Sequence, residues 1–222
     1  EGGASGNADV DFATELVLMK GHLRVAQQLA AEGELEQASP HFAHPEDESF
    51  GVIEPSLEER GIDPFLSELQ TLNQVFQDNP NSEEFDQAFD SAIEAIDGAL
   101  NTLSGISNPE ANLVLPVIDQ VLGVAAEEYE ASIEDGNFVE AVEYQDSKGF
   151  LEEVELLYNS ISDQIETSAQ ETIETALSDL SEAWPTATVP NEPILPASEV
   201  TSLVETIDEA VTFEGEDAGG ED

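Results

Sequence analysis

From Leu151 onward the apolar residues return every three or four positions: Leu151, Val154, Leu157, Ile161, Ile165, Ala169, Ile173, Ala176 and Leu180. That spacing is the period of an α-helix with one buried face. A similar period runs through most of the chain, and no stretch alternates strictly enough to assign as a strand. A chain patterned this way is expected to be all-α, a helical bundle in which apolar stripe packs on apolar stripe.

Breakers and caps divide the pattern. A helix is expected over 9–32, capped by Asn7 or Asp9 and ended at Gly33, the residue type that best tolerates a left-handed terminus. A short helix over 34–44 is interrupted by Pro40. Pro45 suits the first turn of the next helix, which runs to Arg60 and stops at Gly61. Asp63-Pro64 opens another helix to about Asp78, and Ser82 caps a fifth that ends near Ser104. The second half begins at Asn108-Pro109, with a helix over 109–134 kinked at Pro116. Gly136 breaks it. A short helix over 137–147 and one long helix over 150–183 follow. Four prolines mark 185–196 as a linker, and Ser198 caps a last helix to about Phe213. The expected organisation is a flexible N-terminal linker at 1–8, a first bundle half at 9–106, a second at 107–213 and a disordered acidic tail at 214–222.

The two halves align at an offset of 103 residues, with Gly33 on Gly136, Leu35 on Phe138 and Ala38 on Ala141. The bundle is therefore expected to be built from two related helical hairpin repeats.

Charge narrows the function. Four basic residues stand against 51 Asp and Glu, for a formal net charge of −47. Such self-repulsion is relieved by salt, which points to a saline setting. Nothing here could neutralise phosphates, so no nucleic-acid partner is expected. The absence of cysteine excludes disulfides, thiolate metal sites and covalently attached c-type haem. No apolar run is long enough for a transmembrane segment. The Gly/Ser/Asn-rich opening resembles the linker left by a removed signal sequence. It points to export, to a periplasmic or extracellular place, with or without a lipid anchor.

All three histidines fall in one window: His22, His41 and His44. His22 lies 11 residues before Gly33 and His44 lies 11 after it. Across an antiparallel hairpin both sit at the same height, roughly 16 Å from the turn at 1.5 Å per residue. His41 and His44 share a helix face, and Met19 lies one turn beyond His22. Asp47 and Glu48 are level with Met19. The candidate metal ligands are thus His22, His41, His44 and Glu48, with Met19 and Asp47 in reserve. Imidazoles with a carboxylate suit iron, copper or zinc; a methionine sulfur would favour copper or a non-covalent haem. Metal affinity is expected to fall below about pH 6 as the imidazoles protonate.

Two family resemblances bear on this pattern. Ala26, Leu29, Gly33, Leu35, Ala38 and Phe42 resemble the packing positions of a tetratricopeptide hairpin. The whole-chain organisation, with its acidic character and clustered His and acid residues, resembles the imelysin-like family. That resemblance implies export and iron or haem handling, although the family's G-x-H-x-x-E signature is matched neither at Gly21-His22 nor at His44–Glu48. The expected function is to bind a transition metal or haem for uptake, delivery or sensing, without turnover, in partnership with a membrane transporter or another protein. The rival is a tetratricopeptide-like interaction scaffold whose histidines are structural.

Overall fold

The computed structural model describes residues 6–218, with side chains as far as Val211. Residues 1–5 of the expected linker and 219–222 of the expected acidic tail lie outside the described residues. The chain is an all-α bundle. Its helices are α1 (Ala8–Glu32), α2 (Leu35–His44), α3 (Gly51–Arg60), α4 (Leu66–Asp78), α5 (Glu83–Leu100), α6 (Ser104–Ser107), α7 (Ala111–Ala131), α8 (Ala141–Ile161), α9 (Thr167–Ser181) and α10 (Ala197–Ala218). Two two-residue strands, Ile133–Glu134 and Asn137–Phe138, pair antiparallel around a turn with positive φ at Asp135 and Gly136. Those angles suit a tight hairpin loop and redirect the chain from α7 into α8. No helix among the described residues is long and apolar enough to cross a membrane.

Helix α1 is the centre of the molecule. Its buried residues face every direction, from Val10, Phe12 and Leu16 to Leu23, Val25 and Leu29. A helix apolar all round must be enclosed, and α1 is packed by α2, α5, α7 and α8. It begins at Asn7, whose side chain accepts from the Asp9 N–H at 3.0 Å. It ends at Gly33 with φ 86°, where the Gly33 and Glu34 amides close onto the carbonyls of Ala30 and Leu29.

Where α1 crosses α8, Gly21 meets Gly149. A Cβ on Gly149 would overlap the Gly21 carbonyl, and one on Gly21 would stand 2.5 Å from Phe150 Cδ1. Neither side chain is affordable in a contact this close. This corrects the expectation of a break near Lys148–Gly149 between a short helix and a long one. Helix α8 runs through Gly149, because there the glycine serves close packing of two helices.

A further expectation is corrected. The single helix over 150–183 is two, α8 and α9, separated by a 3₁₀ turn at Ser162–Gln164 and extended backbone at Ile165. Gln164 anchors the break to the start of α7: its Oε1 accepts from the Ala111 amide at 3.2 Å and its Nε2 donates to the Pro109 carbonyl at 2.8 Å. Ile161, Ile165 and Ala169 are all buried, so the apolar stripe crosses the break without losing phase. Pro45 does stand at the first position of a helical segment that runs on to Arg60, but that segment opens as a π-helix and joins α2 without a break. The chain continues from α2 to α3 through a π-helical turn, Pro45–Phe50. Proline has no N–H to return to the preceding turn, and the wider turn absorbs that loss.

The four cations are all engaged. Lys20 reaches Asp97 at 2.8 Å and Glu153 at 3.7 Å, and Arg24 reaches Glu153 at 2.5 Å. Arg60 pairs with Asp9 at 2.7 Å and Lys148 with Glu152 at 2.5 Å. Glu153 is 3% exposed, so Lys20 and Arg24 compensate a buried carboxylate on α8.

Gly149→Ala should therefore lower stability by about 1–3 kcal/mol, the usual cost of overpacking. Urea unfolding at constant high salt measures it; an unchanged midpoint would refute the close-crossing account.

Candidate metal centre

Three helices bring the cluster together. His22 comes from α1, His41 and His44 from the last turn of α2, and Asp146 from α8. One ligand atom from each lies within 4.8 Å of all the others. Asp146 Oδ1 takes His22 Nδ1 at 2.6 Å and His41 Nδ1 at 2.7 Å. His44 Nδ1 lies 3.2 Å from Asp146 Oδ2, but not in hydrogen-bond geometry, and this buried nitrogen has no hydrogen-bond partner. The His22 and His44 rings stand edge to face, 5.0 Å apart. On its far side His41 turns Nε2 to Gln145 Oε1 at 2.9 Å.

The site is deep. Asp146 is 3% exposed, His22 5% and His41 0%. Burial would raise the Asp146 pKa, but the charge and hydrogen bond of His22 and the contacts of His41 and His44 hold it well below the usual carboxylate range. For His44, burial works to lower the pKa, and the Asp146, Glu48 and Glu143 carboxylates outweigh it and leave it raised.

The cluster opens on one side. A cavity of about 540 Å³ is bounded by His22, His44 and Asp146 at its floor and carries Glu15, Glu48, Glu128 and Glu143 on its walls. Burial, then the hydrogen bond and charge of Glu143, push Glu128 up to about 8.

The structure thus brings together His22, His41 and His44, the residues that hairpin counting aligned. Glu48 stands at the rim, 3.8 Å from His44 Nε2 with its side chain 59% exposed. Asp47 is exposed, and Met19 is fully buried in the core. The carboxylate at the centre is Asp146, which sequence reasoning missed. One of 51 acids carries no mark of its own, but four residues back from the buried Phe150 on the apolar face of α8 lands on Asp146.

The donor set fits a transition ion. Bond lengths near 2.0–2.2 Å place adjacent ligand atoms about 3 Å apart, and an orphaned buried nitrogen beside a carboxylate is the arrangement that a cation would complete. Three imidazoles and a carboxylate suit iron or zinc, and the absence of sulfur removes the particular case for copper.

Glu128 supplies a stability test. Its pKa rises from 4.5 unfolded to about 8 folded. The stability it contributes is fully present below about pH 4.5 and is lost as pH rises through about 8. Glu128→Gln removes that loss, so its stability relative to the parent should grow between about pH 5 and 8. Urea titrations at the two ends check it; a constant difference would refute the raised pKa.

Comparison with known proteins places part of the chain. Residues 104–213 match a family model described as the iron permease-associated 4-helix bundle domain. They contain α6 to α9, most of α10 and Asp146, while the three histidines lie outside them. No curated protein and no solved structure matches the chain. The match overturns the resemblance to the imelysin-like family. That resemblance rested on a two-part helical layout, an acidic character and clustered His and acid residues, none of which is particular to one family, and the G-x-H-x-x-E signature was missing. What the chain is similar to is an iron permease-associated four-helix bundle.

Proposed function

We propose that this protein binds ferrous iron at His22, His41, His44 and Asp146 and passes it to a membrane iron permease. The observation that carries the reading is the convergence of four ligand atoms within 4.8 Å, one of them the orphaned His44 Nδ1. The description of the matched family supports iron as the metal and a permease as the partner. An ion fits better than haem, because ligands this close leave no room for a macrocycle between them. The wall carboxylates draw cations to the mouth by charge. The role is carriage rather than turnover. Its place is the exported side of the membrane, free or lipid-anchored, and fractionation of cells would test that.

A structural role for the histidines has one observation in its favour: His22 and His41 already satisfy Asp146 by hydrogen bonds. Binding decides between the readings. Tag-free protein should take up about one Fe(II) anaerobically, or Co(II) with a ligand-field spectrum. His41→Ala and Asp146→Ala should lower affinity at least tenfold while helicity is retained; Glu48→Gln should change it little. Affinity should rise between about pH 6 and 8, since the ion displaces protons and His44 holds its own above the ordinary range. No uptake of Fe(II), Co(II) or Zn(II) by the parent protein would leave the histidines structural.

A further inference from the structure

We propose that Gln145 is a positioning residue: together with Gln37 and Glu34 it forms a one-way hydrogen-bond chain that keeps a proton on His41 Nε2 and presents His41 Nδ1 to the metal. The inference rests on reading the cluster as a metal site.

The chain runs inward from the surface. Glu34 is exposed, immediately before α2, and an ionised carboxylate only accepts. Gln37 Nε2 donates to Glu34 Oε2 at 2.8 Å. That contact fixes the Gln37 amide with its oxygen turned inward, where Gln145 Nε2 donates to it at 2.8 Å. Gln145 is 1% exposed, and with its nitrogen so committed its oxygen faces His41 Nε2 at 2.9 Å. An acceptor in that place requires Nε2–H. With a proton held on Nε2, Nδ1 is the nitrogen left for a cation, which there takes the place of the proton shared with Asp146 Oδ1 across 2.7 Å.

The direction matters because an amide can turn over. A Gln145 side chain free to flip would offer its NH₂ to His41 Nε2. Nε2 would then be bare, the proton between Nδ1 and Asp146 would be the ring's last, and a cation could not displace it without leaving an imidazolate. Glu34 prevents this from a distance, through two amides whose orientations follow from its own. The four-residue spacing of Gln37 and His41 puts both on the face of α2 that meets Gln145 on α8, and Glu34 stands one turn before Gln37 at the start of that helix. Outer hydrogen bonds of this kind orient metal-binding histidines and tune affinity by about 10–100-fold.

The test uses the full chain with ¹⁵N-labelled histidine. Long-range ¹H–¹⁵N spectra would be recorded without metal and after addition of Zn(II), a diamagnetic probe. His41 should carry a proton on Nε2 in both, with Nδ1 losing its share to Zn(II), and Gln145→Glu, which keeps an acceptor oxygen, should preserve the Nε2–H. Gln145→Met should lose it, and Zn(II) affinity should fall about 10–100-fold. Should Gln145→Met fail to fold, Gln37→Leu, at a half-buried position, releases the same amide and should weaken Zn(II) in the same direction. A neutral His41 with its proton on Nδ1 in the parent protein, or a folded Gln145→Met that binds Zn(II) as the parent does, would overturn the proposal. Retention of Nε2–H in a parent protein that binds no metal would uphold the chain and overturn the metal reading alone.

Discussion

A carboxylate at the meeting point of three helices organises this molecule. Asp146 is enclosed, and an enclosed charge without partners costs several kcal/mol. Its partners come from α1 and α2, distant in sequence, so the helices can hold it only in one relative arrangement. The Gly21–Gly149 contact permits that arrangement by letting α1 and α8 approach until His22 reaches Asp146 at 2.6 Å. Packing and polar chemistry constrain the same helix pair at neighbouring positions, Gly21 beside His22 and Asp146 three residues from Gly149. A change at either glycine therefore acts on the site, at Gly149 through the backbone separation and at Gly21 also through the Phe150 ring that packs on His22.

Charge is arranged with the same economy. Lys20 and Arg24 compensate Glu153, the second enclosed carboxylate of α8. The acids left around the open side of the cluster form a cavity in which one of them, Glu128, holds a proton well above the usual range. That crowding describes a place where a cation would relieve repulsion. In the proposed function the histidines beneath supply the selectivity that a diffuse acidic surface lacks, because imidazole nitrogens prefer transition ions to alkali and alkaline-earth cations.

Much of this was legible beforehand. The helical period named the fold class, Gly33 and Gly61 ended the helices they were expected to end, and equal counts on either side of Gly33 brought His22 and His44 together. What misled were residues whose usual local meaning was set aside by packing. Gly149 reads as a breaker but serves as a contact. Pro45 reads as the start of a separate helix, and the segment it starts is a π-helix continuous with α2. The apolar stripe through Ile161, Ile165 and Ala169 reads as one helix, yet Gln164 ties a break there to the start of α7. For Gly149 and for the stripe, the deciding partner is more than fifty residues away in sequence.

The sequence by itself determined the class of fold, most helix ends and the imidazole half of the site, because these depend on period, capping and counting along one hairpin. Only the tertiary structure decided which of 51 acids completes the cluster, which nitrogen of each ring faces it and which carboxylates surround its mouth. Those depend on the distance and angle at which α8 crosses α1 and α2. That geometry is the sum of contacts made across the whole bundle, and no local stretch of residues contains it.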